Sequence, residues 1–147
     1  MLETQVKNFS ELSINELYRI LQLRSEVFVV EQDCVYQDID GKDEKALHVL
    51  GIKNNQIVAY TRLFKSGDYF EYASIGRVVV SKKERAFKYG YDIMKVSVEA
   101  IETHFKEHKI KISAQAYLKT FYNNCGFKEI GEQYLEDDIP HIAMIKE

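Results

Sequence analysis

The residues of this chain that invite chemistry fall into two groups of opposite charge. The first is a cluster of cations, Lys82, Lys83, Arg85 and Lys88, inside the stretch RVVVSKKERAFKYGYDIM, residues 77–94. A strand-like run, Arg77 to Val80, leads into it. An amphipathic segment with one early glycine, Gly90, leads out. The N-terminal end of a helix carries partial positive charge, so each unpaired cation there is unfavourable by roughly 0.3–1 kcal/mol. A bound anion reverses that sign, and the free N–H groups of the first turn add donors. Two readings stand: a phosphate-binding turn or a solvated basic face. The second group lies in YLEDDIPHI, residues 134–142, where Glu136, Asp137, Asp138 and His141 flank Pro140, the only proline in the chain. Taken alone, this is a solvated acidic loop.

These groups need elements to hold them. Ser13 and Glu16 form an S-x-x-E capping box, with Leu12 and Leu17 placed to close a hydrophobic staple. Leu17, Ile20, Leu21, Val27 and Phe28 then recur at helical spacing. The segment Cys34 to Lys45 reads as a polar loop, and strand-like runs follow at Leu47–Ile52, Ile57–Phe64 and Tyr72–Val80. Turn signals at Asn54-Asn55 and Ser66-Gly67-Asp68 separate them, which predicts an antiparallel meander. A second helix carries the stripe Phe87, Tyr91, Met94, Val98, Ile101 and Phe105. Three and four residues before Phe87 lie Glu84 and Lys83, which do not belong in a core. Ser81 to Ala86 is therefore read as a turn ahead of the helix. A strand, Ile110–Ala114, comes after a helix-length crossover and so suits a parallel pairing. A short helix, Leu118–Asn124, ends at Gly126, and Phe127–Ile145 reads as two strands around an acidic loop. The order predicts an α+β, mixed domain with helices packed on a mostly antiparallel sheet.

Composition bounds the function. With 147 residues, one domain spanning 1–147 is the simplest organisation. An apolar content of 46% with 29% charged argues against disorder. The net charge of -3 leaves no overall basic footprint for nucleic acid. No signal-peptide pattern opens the sequence, and no run approaches the roughly 18 apolar residues of a membrane span. Cys34 and Cys125 lack CxxC spacing, which suggests free thiols in the cytoplasm. DIDGKD, residues 38–43, fails as a calcium loop, because counting back from Gly41 places Tyr36 where an acid is required. His48, His104 and His108 are too scattered for zinc, so no metal is expected.

The basic stretch resembles the signature of the GNAT N-acetyltransferases, (Q/R)-x-x-G-x-(G/A). Arg85 matches its first position and Gly90 its last. Lys88 stands where the middle glycine is expected, and Ala86 replaces another frequent glycine. Four further blocks extend the likeness over nearly the whole chain: LRSEVFVVEQDCVYQDIDGKD (23–43), SIGRVVVS (74–81), AQAYLKTFYNNCGF (114–127) and YLEDDIPHIAMI (134–145). Together they resemble the ElaA-like branch of that superfamily.

The resemblance implies a GNAT fold with a splayed parallel strand pair and acetyl-CoA as co-substrate. It places the pantetheine arm along Val78, Val79 and Val80, and the pyrophosphate on the turn Arg85, Ala86, Phe87, Lys88, Tyr89, Gly90 and Tyr91. Tyr122 matches the tyrosine that acts as general acid toward the departing thiolate. Glu31, Glu136, Asp137 and His141 fall on the acceptor side, with Glu31 and His141 as candidate bases. The implied acceptor is a small-molecule or peptide amine. A homodimer is the default expectation for assembly. The rival from another class is a non-catalytic CoA-binding or interaction module on the same fold, suggested by the two missing glycines.

Overall fold

The computed structural model of the chain describes residues 2–147. Its first element is a strand, β1 (Glu3–Asn8), ahead of the helix at which the sequence pattern begins. β1 carries a single branched apolar residue, Val6, so it lacks the alternation that marks a strand. It pairs antiparallel with β2 (Leu47–Lys53), with Val6 opposite Val49. The expected capping box closes helix α1 (Ile14–Arg24): Glu16 N–H donates to Ser13 Oγ at 3.0 Å, and Ser13 N–H to Glu16 Oε1 at 2.9 Å. From Ser25 to Glu31 the helix widens to a π-type turn, with Gln32 N–H bonded to Val27 C=O at 3.1 Å. Such wide turns are frequent near functional sites.

The meander is present as β2, β3 (Gln56–Phe64) and β4 (Ala73–Val80). The crossover helix, α2, runs from Tyr89 to Ala100 and returns the chain to β5 (Ile110–Gln115), parallel to β4. A short helix α3 (Lys119–Asn124) precedes β6 (Lys128–Glu136) and β7 (Ile139–Lys146). Gly126, at φ +95°, ends α3 in the left-handed region that glycine tolerates. Among the described residues the sheet has seven strands in the order β1-β2-β3-β4-β5-β7-β6.

Strand alternation distributes the core. Leu47, Val49, Ala59 and Leu63 face Ile93, Met94 and Ile101 of the α2 segment. Leu50 and Tyr60 face the other way, toward Ile20, Leu23 and Val27. Helices α1 and α2 thus lie on opposite faces of the sheet. No helix among the described residues is long and apolar enough to cross a membrane.

Two expectations need correction and a third is refined. The buried face of α2 does not begin at Phe87, which is 55% exposed and lies in the 3-10 turn Lys82–Phe87. It begins at Tyr89 and continues through Ile93, Met94, Ser97 and Ala100. Phe87 instead lies beneath the Lys53 ammonium, 3.9 Å from the ring centroid. The acidic loop of residues 134–142 is mostly strand, with only Asp137 and Asp138 left as the turn between β6 and β7, both at positive φ. Finally, residues 34–45 are the expected polar loop, but not all of it faces solvent: Asp38 and Asp43 are buried against Arg24 and Arg62.

Candidate active site

Strands β4 and β5 are hydrogen-bonding neighbours only at Ala73–Ile110 and Ser74–Lys111. Beyond Ser74 they part. The cause lies within β4, where Tyr60 is opposite Val79 but Arg62 is opposite Gly76. Two steps on β3 thus span three on β4, which is a β-bulge, and Arg77 sits in it at φ +48°. A cavity of about 490 Å³ fills the opening, lined on one side by Gly76 to Val80 and on the other by Ile112, Ser113 and Gln115.

One end of this cavity is basic. Arg85, Lys88, Gly90 and Tyr91 line it; Ala86, Phe87 and Tyr89 do not. Tyr89 is buried in the core instead. Lys88 has φ +59° and ψ +31°, so it keeps a left-handed conformation that glycine adopts without strain. Tyr91 N–H bonds Lys88 C=O at 3.2 Å, leaving the Tyr89 and Gly90 amides as the open donors of the first turn. Gly90 has a packing role: a Cβ there would meet the Phe121 ring at 3.2 Å. These amides, with Lys88 and Arg85, fit a pyrophosphate.

Glu31 is brought to this basic end and not left free among acceptor-side groups. Arg85 grips it with both nitrogens of the fork, Nη1 to Oε2 at 2.5 Å and Nη2 to Oε1 at 2.8 Å. Arg85 Nε also donates to Val80 C=O at 3.1 Å. The Arg85 hydrogen bonds hold the Glu31 carboxyl below its ordinary range, outweighing the slight effect of burial. In this arrangement Glu31 is a paired anion, which corrects its reading as a free base.

The other end holds the remaining polar groups. His141 is buried and lines the cavity with Glu136 and Asp137; Asp138 does not. His141 Nδ1 lies 2.7 Å from Ile139 C=O. A carbonyl only accepts, so Nδ1 carries a proton, and in the neutral ring Nε2 holds the lone pair. Nε2 is 3.5 Å from Glu136 Oε2. Ser113 Oγ donates to Glu136 Oε1 at 3.1 Å and shares a 2.5 Å contact with Tyr134 Oη. Tyr134 also stacks on the His141 ring. Ser113 and Tyr134 carried no signal in the sequence, because strand register alone brings them to His141.

Tyr122 lines the same cavity and is only 7% exposed, edge-on to Phe121 and Phe127. Burial pushes its phenol well above the ordinary value, and the nearby Cys125 and Tyr117 add to the shift. It is therefore protonated at any physiological pH. Cys34 and Cys125 are both free thiols; burial raises both, and the acidic turn at Asp137 and Asp138 raises Cys34 further. Among the described residues, no group of three or more His, Cys, Asp or Glu side chains is arranged to hold a metal.

A sheet opened by a bulge, with donors from a helix start at one end of the gap, has the GNAT acyl-CoA N-acyltransferase fold, and the chain belongs to the GNAT acetyltransferase family. The family model described as an acetyltransferase (GNAT) domain matches residues 6–147. Within it, the chain is similar to protein ElaA of Escherichia coli, with 47% identity covering 100% of this chain and 97% of that one. The crystal structure of E. coli ElaA superposes with a TM-score of 0.93 at 46% identity, covering 100% of both chains. That of an acyl-CoA N-acyltransferase from Pseudomonas aeruginosa gives 0.94 at 40% identity, also over 100% of both.

Proposed function

We propose that the chain, as a single domain, transfers the acetyl group of acetyl-CoA to a primary amine by direct attack. The observation that carries this reading is the convergence of Tyr122, His141 and the open edge of β4 on one cavity. Acetyl-CoA supplies the acetyl group as a thioester. The open edge of β4 along Val78, Val79 and Val80 offers the pantetheine arm hydrogen bonds of the kind a neighbouring strand would make. A backbone N–H of this bulged segment polarises the thioester carbonyl. The Lys88–Tyr91 turn and Arg85 hold the phosphates.

His141 Nε2 takes a proton from the ammonium form of the acceptor, directly or through water. The imidazolium so formed faces Glu136, which stabilises the charge. The freed nitrogen lone pair forms the C–N bond as the C–S bond breaks. Tyr122 gives its proton to the leaving sulfur, and the second proton of the acylated nitrogen, released as the amide forms, passes through water to restore the phenol. Its raised pKa keeps the acid loaded, and the same dry environment raises the proton affinity of a thiolate, so transfer stays feasible. Glu136 and Asp137 attract the cationic acceptor, a small-molecule or peptide amine.

The rival reading, a CoA-binding module without catalysis, rests on the missing glycines. The left-handed Lys88 weakens it, since the backbone path survives the substitution. Thermal melting with acetyl-CoA at 100 times its dissociation constant should show a gain of about 2.7 kcal/mol. Thiol release across an amine panel should then separate enzyme from module. Absence of any shift would end both readings.

A further inference from the structure

The β4 bulge raises a question that the acetyltransferase reading does not answer. Arg77 holds φ +48° without being a glycine. A left-handed arginine persists only where its surroundings enforce it. Those surroundings are the segment Tyr36 to Asp43. Arg77 Nε lies 2.7 Å from Asp38 Oδ1, close as an ion pair though off the line of its N–H. Arg77 Nη2 donates to Asp38 C=O at 3.0 Å, and its guanidinium lies 5.6 Å from the centroid of the Tyr36 ring. Tyr36 Oη in turn donates to Asp38 Oδ1 at 3.0 Å.

Asp38 is itself immobilised from below. Arg24, fully buried, donates from Nε to Asp38 Oδ2 at 2.9 Å and from Nη2 to its carbonyl at 3.0 Å. Its Nη1 reaches Asp43 Oδ1 at 2.7 Å. Arg62 grips both oxygens of Asp40 at 2.9 Å and Asp43 Oδ1 at 3.0 Å. Three arginines and three aspartates thus close a charge-balanced network from α1 and β3 to the bulge. Loss of one member would leave a buried charge without its partner.

We propose that this network is a positioning clamp: Asp38, acting through Arg77, fixes the left-handed bulge residue and thereby the direction of the Val78 and Val79 backbone at the mouth of the cavity. Asp38 and Arg77 are positioning residues and touch no reacting atom. The proposal rests on the acetyl-CoA reading for its purpose, but not for its geometry.

Two substitutions separate the clamp from a direct role of the guanidinium. Arg77→Ala removes the guanidinium and keeps the left-handed penalty. Arg77→Gly removes the guanidinium and the penalty together. Each full-length variant is followed by amide NMR at Val78 and by titration with acetyl-CoA, with Asp38→Asn as a third variant approached from the loop. The clamp requires the Val78 resonance to move in Arg77→Ala and to return toward the wild-type position in Arg77→Gly. Acetyl-CoA affinity should fall about tenfold in the alanine variant and recover at least in part in the glycine variant, about the size of one left-handed penalty. An unmoved Val78 resonance in Arg77→Ala would overturn the clamp, as would equal losses of affinity in Ala and Gly. If the wild type does not bind acetyl-CoA, the functional reading fails, while the NMR comparison still decides the clamp. Should Asp38→Asn not fold, the Arg77 pair alone carries the decision.

Discussion

Replacing Lys88 by glycine should make the protein more stable, and the amount follows from three terms. A non-glycine residue in the left-handed region costs about 1–2 kcal/mol, and Lys88 holds that conformation at φ +59°. Glycine returns about 0.5–1 kcal/mol of this through its greater freedom in the unfolded chain. Removing a cation from the start of α2 adds about 0.3 kcal/mol, the lower bound for an exposed site. The net gain is about 1 kcal/mol, equivalent to roughly 2–4 °C in Tm for a chain of this size. Lys88→Ala is the control, since it removes the charge but retains the strained dihedral. Calorimetry on both variants should place glycine above alanine. Glycine at or below alanine would refute the claim that strain resides at this residue. The same pair reports on ligand binding. Both variants should bind acetyl-CoA about two- to fivefold more weakly in low salt, with the difference shrinking as salt screens the lost charge. Tighter binding by Lys88→Gly would mean that the side chain obstructs the phosphates.

Four further outcomes follow from the site. Tyr122→Phe should lower turnover by about 10²–10⁴ while leaving acetyl-CoA affinity unchanged in titration; unaltered turnover removes Tyr122 from the mechanism. Glu31→Gln frees Arg85 from its carboxylate, so acetyl-CoA should bind about two- to fivefold more tightly, measured by the same titration. Acid should destabilise the clamp. Burial raises the Asp40 carboxyl, but Arg62 and Arg77 outweigh it and bring the group from 3.8 down to about 2. Its contribution is therefore complete above pH 3.8 and lost as pH falls toward about 2, visible as a drop in Tm across that window. Gly51→Ala should cost about 1–3 kcal/mol in denaturant unfolding, because the new Cβ would stand 2.8 Å from Ala59 Cβ.

The sequence disclosed those parts of the molecule whose signals are local. Ser13 and Glu16 announce α1 because a capping box is confined to four consecutive residues. The crossover between Val80 and Ile110 announces the parallel pair because only a long connection permits one. β1 stayed hidden because an edge strand with Val6 as its one branched apolar residue has no pattern to show. Phe87 misled because an aromatic can end a stripe on a surface lysine as well as in a core. At the site, Arg85, Lys88, Tyr122 and His141 were readable through the family pattern. Ser113, Tyr134 and Arg77 were not, since strand register and a bulge bring them into place. Asp38, Asp40 and Asp43 were read as polar loop residues because their arginine partners lie far away in sequence.

The parting of β4 from β5 leaves two rows of backbone donors and acceptors unpaired in the middle of a sheet and not at its rim. Unpaired strand edges normally invite other chains, and proteins blunt them with charge, bulges or cover. Here the exposed edges face each other across a narrow gap with acids at one mouth and bases at the other, which admits a slender polar chain far more readily than a peptide strand with side chains on both faces. A ligand lying there would act as a substitute strand, joining the two arms of the sheet that otherwise meet only at Ala73 and Ser74. Binding would then complete the fold as well as fill the site, and the rigidity of the whole sheet would depend on whether that place is taken.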